Sequence, residues 1–500
     1  MEIRIGSRKS ILAQIQAFEV GDRIKQKFPD AKIKFLFRES LGDVNQTASL
    51  TSFDSRGVFT EDFYGLLVNK EIDFAIHSWK DLPIAERELT TIGATIDRAD
   101  CRDVLLIKKS SINQETKPVS LSILSSSPRR EYNIGEFLSW AIPFKTKPMF
   151  VSVRGNIETR LRKLFESTND GLVVAKAALD RLLVEKYPEA KASQKTVREY
   201  VDQCLPIIIP LTACPAAPAQ GALAIEVLKQ RPDLTPILKA INDQEVFSCV
   251  ELERSILAEY GGGCHQKIGA TVLARPYGKV TFLRGLTTNG TALNKVTLSR
   301  NNKAQPKAAN ANSIWPTKNK KIDLFARKSL KVHMPDTHQG LWISKSEALP
   351  KDWKVPLETP IWVSGLKTWR DLADRGVWVL GSSESLGEDE SLNMELLLPK
   401  VKTWTKLSHE DSPEENFMKR IATYKLESKE KFPLLSNITH CYWKSGSLFK
   451  AALASNPQLK NCWHGCGPGN TYKIITKILG DAEKVNVYLN YDDFIAEILG

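Results

Sequence analysis

Short apolar segments alternate with amphipathic helical segments through most of this chain, and this alternation restricts it to α/β folds. Residues 3–5, 33–37 and 73–77 predict strands, and the 3.6-residue apolar periodicity between them predicts helices. Such alternation is typical of mostly parallel sheets covered by helices, in which ligands bind where strand carboxyl ends meet loops. The sequence therefore predicts doubly wound α/β domains with functional residues at one edge of each sheet.

Several domains are expected, because 500 residues exceed what one hydrophobic core usually holds. We expect the following division: residues 1–99 with 200–222 as a first α/β lobe, 100–199 as a second α/β lobe, 223–298 as a small α+β domain, 299–339 as a linker and 340–500 as a separate C-terminal α/β module. The chain recrosses near residues 207–225, so the first lobe is expected to receive a late strand. Two lobes with a cleft between them are the predicted architecture. Residues 41–60, rich in Gly, Asp, Ser and Thr, predict a mobile lid.

Composition narrows the class of protein. The chain is 42% hydrophobic and 26% charged, which is ordinary for a globular protein, and it has no apolar run long enough to cross a membrane. Its eight cysteines are scattered without the spacing of a disulfide framework, so we expect free thiols and a cytoplasmic location. We also expect a monomer. The net charge of +12 favours anionic partners.

Six basic residues share one position, at or just after a predicted strand end: Arg8, Lys80, Arg129, Arg130, Arg154 and Arg160. Arginine binds carboxylates through two parallel hydrogen bonds, and the turn containing Arg8 and Ser10 opens a helix whose amides attract anions. Nucleic-acid binding would favour an outer basic face with interleaved aromatic residues, and these strand-end positions show few aromatic residues apart from Trp79. The pattern favours a pocket for several carboxylates, and scattered surface charge is the alternative.

Asp81 is a single carboxylate next to Lys80 in this basic set. It could be a simple ion-pair partner. A carboxylate among cations also stays ionised, accepts N–H hydrogen bonds and stabilises a developing positive charge. Asp81 is therefore the catalytic candidate.

Cys264 follows a helix that runs into three glycines, residues 261–263. The glycines end the helix and let another surface approach closely, so the thiol is presented at the end of a loop. The alternative is an inert buried cysteine after a glycine cap. Cys462 and Cys466 also come close in sequence, but too few donors lie near them for a zinc site, and no metal is expected.

Six ordered motifs resemble the hydroxymethylbilane synthase family, also called porphobilinogen deaminase: residues 4–10 (RIGSRKS), 77–83 (HSWKDLP), 125–130 (SSSPRR), 153–161 (VRGNIETRL), 219–223 (AQGAL) and 262–264 (GGC). The resemblance implies a three-domain enzyme with a dipyrromethane cofactor in thioether linkage to Cys264. It implies that Lys80, Asp81, Ser127, Arg129 and Arg130 bind the cofactor, and that Arg8, Ser10, Arg154, Arg160 and Gln220 bind substrate. Asp81 would contact pyrrole N–H groups.

Some positions depart from the family pattern. Leu124 and Ala219 stand where glycines are usual, Pro128 replaces a leucine, and Ser52 and Arg56 replace two lysines of the predicted lid. The first three change backbone freedom and remove no charge. The last two put the lid's contribution to binding in doubt.

The C-terminal module resembles uroporphyrinogen-III synthase in residues 438–447 (ITHCYWKSGS) and 465–471 (GCGPGNT). The resemblance implies that Ser445 and Thr471 help to bind the linear tetrapyrrole, and that Tyr424 is a catalytic hydrogen-bond donor. A glycine-rich turn before a helix is also a common packing or anion site, which is the alternative for these short motifs.

Together these features predict a bifunctional tetrapyrrole enzyme. The first part would join four porphobilinogen molecules with loss of ammonia, and the second would close the product, hydroxymethylbilane, to the type III isomer. The alternatives are a bilobal carboxylate binder or sensor without catalysis, and a deaminase with an inactive C-terminal module. Neither nucleic acid nor membrane is expected as a partner.

Overall fold

The computed structural model describes residues 1–39, 61–112, 119–262, 266–318, 324–335, 339–388, 391–414 and 418–500. Internal contacts divide the chain into two compact units. The first unit comprises residues 1–139, 145–274 and 281–296, and the second comprises residues 140–144, 275–280 and 297–500. The predicted lid and Cys264 lie outside the described residues.

The helices, in chain order, are α1 (Ile11–Lys27), α2 (Glu61–Val68), α3 (Pro128–Ala141), α4 (Ile157–Glu166), α5 (Lys176–Leu183), α6 (Lys191–Val201), α7 (Thr235–Ile241), α8 (Gln244–Glu259), α9 (Leu366–Ala373), α10 (Gly446–Ser455), α11 (Asn470–Leu479) and α12 (Tyr491–Leu499). The strands of the first part of the chain are β1 (Glu2–Arg8), β2 (Lys32–Arg38), β3 (Phe74–Ser78), β4 (Thr90–Ala94), β5 (Asp103–Lys108), β6 (Ser120–Leu124), β7 (Lys147–Val151), β8 (Gly171–Ala175), β9 (Cys204–Ile208), β10 (Leu223–Leu228), β11 (Gly269–Arg275), β12 (Gly278–Leu286) and β13 (Ala292–Arg300). Those that follow are β14 (Ile314–Trp315), β15 (Phe325–Ser329), β16 (Gly340–Ile343), β17 (Ile361–Val363), β18 (Gly381–Ser382), β19 (Trp404–His409), β20 (Met418–Ser428), β21 (His440–Trp443), β22 (Trp463–Cys466) and β23 (Val485–Val487).

The first unit contains two mixed sheets of five strands. One has the order β2-β1-β3-β10-β4, with β1 parallel to β2 and β3 and with β10 antiparallel to β3 and β4. The other has the order β7-β6-β8-β5-β9, with β5 antiparallel to both neighbours. Apolar residues alternate along β1, so Ile3 and Ile5 point to one face of the sheet, where they are completely buried against α1. The predicted parallel strands are therefore present, and antiparallel strands complete each sheet.

The two recrossing segments enter the sheets differently from the expected domain boundaries. Strand β9 pairs with β5 in the second sheet, although the sequence places residues 200–222 in the first lobe. Strand β10 joins the first sheet and is the late strand that the sequence predicts for the first lobe, although the expected boundary at residue 223 places it in the small α+β domain. Both segments are short and apolar, so their local pattern does not say which sheet they complete.

Strands β11, β12 and β13 form a three-stranded sheet that follows α8. Glu253 of α8, fully buried, accepts a hydrogen bond from the Val272 amide of β11 (2.7 Å) and pairs with Arg98 (2.7 Å). Through Glu253, α8 and the start of this sheet are therefore fixed to each other and to the loop after β4 that carries Arg98. The small α+β domain around the cysteine loop stays a prediction.

The second unit contains a four-stranded sheet, β14-β21-β22-β23, and a six-stranded sheet, β15-β20-β19-β16-β17-β18. Strand β14 pairs with β21 and β15 pairs with β20, so residues of the expected linker, 299–339, contribute to both sheets. That stretch is part of the second unit rather than a connection to it. Its strands are short edge strands, which carry little apolar periodicity.

Candidate functional site

The carboxyl end of β3 opens into a single 3₁₀ turn, Trp79–Asp81, that presents Lys80 and Asp81. Trp79 is buried and packs near Phe247 of α8, with ring centroids 5.1 Å apart. Arg254, also on α8, donates to the backbone carbonyls of Trp79 (3.4 Å), Leu82 (3.2 Å) and Pro83 (2.5 Å). The turn is thus held at both of its ends by α8.

A buried carboxylate, Asp103, organises the cationic residues beside this turn. Its oxygens accept hydrogen bonds from Arg129 Nη2 (2.9 Å), Arg130 Nη2 (2.7 Å) and Gln220 Nε2 (2.9 Å). Gln220 in turn accepts a hydrogen bond from Lys80 Nζ at its Oε1 atom (3.2 Å). One network therefore joins four of the predicted site residues, Lys80, Arg129, Arg130 and Gln220.

Neighbouring charges shift the pKa values of Asp103 and Lys80 in this network. Burial alone would raise the pKa of Asp103, but the guanidinium groups of Arg129 and Arg130 outweigh it and keep that pKa well below its usual range. Burial lowers the pKa of Lys80; neighbouring Asp81 opposes this effect, and Arg130 adds to it. The Lys80 ammonium is therefore less firmly protonated than an exposed lysine would be.

Arg160 and Asp81 complete the cluster. Burial lowers the pKa of Arg160, Arg130 lowers it further, and Asp81 raises it, so these three charges lie within reach of one another. The cluster holds four cations, Lys80, Arg129, Arg130 and Arg160, against two carboxylates, Asp81 and Asp103, an excess of two positive charges. Asp81 is exposed, whereas Asp103 is fully buried. An excess of positive charge beside an exposed acid suits a ligand with several carboxylates.

The adjacent side chains of Arg129 and Arg130 differ in how many of their N–H groups donate to protein acceptors. Arg129 also donates to the Pro215 carbonyl (2.7 Å) and to Cys214 Sγ (3.1 Å), so it is the more fully bound to protein acceptors. Arg130 donates to the Val173 carbonyl (3.2 Å), and its Nε atom is buried with no hydrogen-bond partner among the described residues. This buried N–H group could donate a hydrogen bond to the carboxylate of a bound ligand.

Other predicted site residues lie at neighbouring strand and helix ends. Ser127 precedes α3, and its carbonyl accepts the Glu131 amide (3.0 Å). Half-buried Arg8 ends β1, and Ser10 immediately precedes α1 with no capping bond from its side chain. These residues are at the predicted sheet edge.

Arg154 takes a different position, since it is exposed and follows β7, an edge strand. It lines a surface cavity of about 590 Å³ together with Lys163, which donates to the Arg154 carbonyl (3.0 Å). The next helix, α4, is capped at its start by Asn156, whose Oδ1 accepts the Thr159 amide (2.8 Å).

The chain on the two sides of Cys264 is described, although Cys264 itself is not. Helix α8 ends as predicted at glycines with positive φ, Gly261 (+88°) and Gly262 (+63°), and the Gln266 side-chain amide donates to the Gly262 carbonyl (3.1 Å). A Cβ on Gly262 would lie 2.8 Å from Ile84 Cδ1. The residue two positions before Cys264 therefore packs on the segment that follows Lys80 and Asp81.

Two departures from the family pattern have visible consequences. Ala219, where glycine is usual, adopts φ = +68°, a conformation that L-residues with a Cβ rarely adopt. Pro128 is the first residue of α3, a position that proline favours, so it fits the helix start. Leu124 is buried at the end of β6. Ser52 and Arg56 lie outside the described residues.

The three candidates in the second unit are dispersed over its two sheets. Tyr424 lies in β20 with only 4% of its surface exposed, and burial raises its pKa. Ser445 caps α10, because its Oγ accepts the Leu448 amide (3.2 Å), and Thr471 lies in the first turn of α11. Ile474 of α11 packs on Gly446, so Ser445 and Thr471 are brought to one sheet edge.

In the part of the chain that the structure describes, no three His, Cys, Asp or Glu side chains cluster as a metal site would require. No helix in that part is long and apolar enough to cross a membrane.

Sequence reasoning missed Asp103 and Arg254. Asp103 begins β5, whose next four residues are apolar and buried, so a charged residue heading a buried strand was the available signal. Arg254 lies in the helix before the glycines, and its acceptors are backbone carbonyls, which leave no trace in the sequence.

Comparisons with known proteins add to this geometry. Residues 3–235 match the model of the family described as porphobilinogen deaminase, dipyromethane cofactor binding domain. The chain is 36% identical over 268 residues to porphobilinogen deaminase of Caldicellulosiruptor saccharolyticus, covering 54% of this chain and 83% of that protein. It is 35% identical over 269 residues to the probable porphobilinogen deaminase of Picrophilus torridus, covering 54% and 84%. A putative periplasmic sulfonate-binding protein from Methylobacillus flagellatus aligns with 52% of this chain and 69% of that chain at 13% identity, with a TM-score of 0.26.

Proposed function

This chain belongs to the porphobilinogen deaminase family, and from that premise we propose that its first unit joins four porphobilinogen molecules head to tail with release of ammonia. The observation that carries the proposal is the buried network of Lys80, Gln220, Asp103 and Arg130 beside the exposed carboxylate of Asp81. Porphobilinogen carries carboxylate side chains and a pyrrole N–H. The cluster offers cations for the former and an acceptor for the latter.

The family's cofactor is dipyrromethane, and the residues present fit it. The excess of two positive charges and the buried, unpartnered Nε of Arg130 would both be satisfied by cofactor carboxylates. We assign Lys80, Arg130 and Ser127 to holding it, with Arg129 fixing Asp103 behind them. When bound, the cofactor supplies the pyrrole to which the first substrate is joined.

We assign the attachment to Cys264. The structure describes seven of the eight cysteines, and all seven are buried. Burial raises the pKa of the Cys214 thiol to about 11, although that thiol lies next to Arg129. A buried thiol of this kind is a poor nucleophile, because the thiolate is the reactive form. Cys264 lies in the Gly-Gly-Cys motif for which the family resemblance implies the thioether linkage, two residues beyond a glycine that packs on Ile84.

Asp81 is the catalytic residue of this proposal. Its carboxylate accepts the pyrrole N–H of the bound substrate and stabilises the positive charge that develops on that pyrrole when ammonia leaves. Arg160, within electrostatic reach of Asp81, binds a substrate carboxylate, and Arg8, Ser10 and Arg154 stay predicted substrate contacts. Gln220, whose side chain is buried, acts by holding Lys80 and Asp103 in place. Arg254 positions Asp81 by holding the Trp79 and Leu82 carbonyls on α8.

The test is turnover of the purified chain with porphobilinogen. One ammonia should be released for each porphobilinogen consumed, and porphyrin should appear after oxidation. A folded protein that binds porphobilinogen without consuming it would instead be a carboxylate binder or sensor. We retain the expectations of a monomer and a cytoplasmic location as predictions.

We further propose that the second unit closes hydroxymethylbilane to uroporphyrinogen III. The support is the resemblance in residues 438–447 and 465–471, together with the placement of Ser445 and Thr471 after neighbouring parallel strands, β21 and β22. Tyr424 remains the candidate donor to the leaving hydroxyl; its burial requires that ligand binding expose it. Chromatography of the oxidised porphyrins tests this activity, since spontaneous closure gives the type I isomer.

A further inference from the structure

The second unit buries a lysine in the middle of a sheet. Lys406 lies in β19, which is flanked by β16 and β20, and its side chain has no exposed surface. Fully buried lysines are rare, because an ammonium loses its hydration unless polar groups replace it. Its local acceptors are the Glu388 carboxylate and the Pro413 carbonyl (3.1 Å), and its Nζ lies 5.5 Å from the centre of the Trp342 ring.

The Glu388 carboxylate connects this lysine to the other sheet of the same unit. Its Oε2 atom accepts hydrogen bonds from Lys406 Nζ and from Asn470 Nδ2 (2.8 Å). Asn470 is the first residue of α11 and lies shortly after the end of β22. A single carboxylate oxygen therefore bridges a buried cation in the six-stranded sheet and a helix start that follows the four-stranded sheet.

The backbone around Glu388 and Asn470 is shaped for this contact. Gly387 and Gly469 both have positive φ, +133° and +84°, and a Cβ on Gly469 would lie 3.0 Å from Gly387 Cα. Gly469, the N-cap of the ten-residue helix α11, provides no capping side chain. The partial positive charge of the helix start adds to Lys406 and favours an anion there.

We propose that Lys406 and Asn470 form a carboxylate-binding subsite of the second unit, which Glu388 fills in this structure as an internal carboxylate that a ligand carboxylate displaces. The ligand class is an organic polycarboxylate, one group of which enters this subsite. Only the identity of that ligand as a linear tetrapyrrole rests on the proposed ring closure.

A ligand carboxylate can replace the Glu388 carboxylate because Glu388 is partly exposed and because the exchange keeps Lys406 paired. Glu388 retains 20% of its side-chain exposure, so its carboxylate is reachable from solvent, whereas Lys406 has none. A departing Glu388 regains hydration, but an unpaired Lys406 would remain buried and costly. A ligand carboxylate that replaces Glu388 keeps Lys406 paired, so exchange avoids the main penalty of opening the site.

Fluorescence titration of the full chain with uroporphyrin III, a porphyrin polycarboxylate, tests the proposal. Glu388→Gln removes the competing negative charge but keeps an amide oxygen that can accept from Lys406 Nζ. It should lower the Kd about fivefold or more, the factor expected if the internal carboxylate fills the site most of the time. Lys406→Met in the same chain as Glu388→Gln should then raise the Kd about tenfold above that of Glu388→Gln alone, because a charge-assisted hydrogen bond is lost. The double variant is used because Lys406→Met alone would leave Glu388 without its cation.

Glu427→Gln is the matched control, since Glu427 is an exposed partner of Lys425 (2.7 Å) in the same unit. It should leave the Kd unchanged, and uroporphyrin bound elsewhere on the chain contributes equally to every variant. A Kd that rises or stays constant in Glu388→Gln, with an unchanged melting temperature, would overturn the subsite. Melting temperatures of all variants identify any loss of folding.

The outcome is separable from the proposed ring closure. Type III product combined with uroporphyrin binding that ignores Glu388 and Lys406 would remove this subsite and leave the activity. Binding that follows the predicted order combined with type I product would keep the subsite and remove the activity.

Discussion

Replacing Asp103 by asparagine should damage the first unit more than any other single charge removal at the site. Asp103 has no exposed surface and neutralises two guanidinium groups, those of Arg129 (2.9 Å) and Arg130 (2.7 Å). Removing one partner of a buried ion pair costs about 3–5 kcal/mol, because the remaining charge stays buried and unpaired. The new side-chain amide would also bring donor hydrogens toward the Gln220 amide, which in the wild type donates to Asp103 (2.9 Å).

A loss of that size should lower the melting temperature of the first unit by roughly 6–20 °C, since 1 kcal/mol corresponds to about 2–4 °C in a domain of this size. Differential scanning calorimetry of Asp103→Asn measures it. The control is Asp233→Asn, because Asp233 also pairs with an arginine, Arg231 (2.8 Å), but is 60% exposed. Exposed pairs contribute little, so its shift should stay below about 4 °C. Equal small shifts in both variants would refute the reasoning.

The pH dependence gives the same prediction an independent check. The folded-state pKa of Asp103 lies well below its usual range, so its contribution to stability is present above the unfolded-state pKa of about 4 and is lost as the pH falls through the folded-state value. The difference in melting temperature between wild type and Asp103→Asn should therefore be constant from about pH 7 to about pH 5 and narrow below about pH 4. A difference that widens on acidification would contradict the assignment.

Three further outcomes are expected. Asp81→Asn should lower kcat about 10²-fold or more with the melting temperature unchanged, measured as porphobilinogen consumption, since a preorganised electrostatic partner is lost; wild-type turnover would remove Asp81 from the mechanism. Arg130→Leu should abolish cofactor loading, measured by intact mass. The control is Arg198→Leu, which should load normally, because Arg198 pairs with Asp202 (3.4 Å) at the surface. Equal effects of the two substitutions would mean that the cationic cluster has been misassigned. Ala219→Gly should stabilise the protein by about 0.5–1 kcal/mol in calorimetry, because glycine relieves the φ of +68° at some cost in flexibility; destabilisation would show that the alanine is not strained.

Local patterns predicted local structure well. The end of α8 at Gly261 and the strand–helix–strand order of β1, α1 and β2 both follow from residues within a few positions of one another. The grouping of Lys80, Arg129 and Arg130 was also predictable, because strand carboxyl ends meet at one edge of a sheet.

Long-range partnerships were not predictable. Asp103 lies 26 and 27 positions from its two arginines, and 117 from Gln220. Strands β9 and β10 are both short and mostly apolar, so their sequences do not show that β9 pairs with β5 and β10 with β3. The short edge strands of residues 299–339 carry too few apolar residues to stand out from a linker.

The central claim is that the first unit carries a dipyrromethane on Cys264, and the intact mass of the purified chain tests it most directly. The wild type and Cys204→Ser, a buried-cysteine control, should have a mass above that of the polypeptide by one dipyrromethane. Cys264→Ala should have the bare polypeptide mass. A bare wild-type mass after expression in a host that makes porphobilinogen, or an adduct that survives in Cys264→Ala, would contradict it.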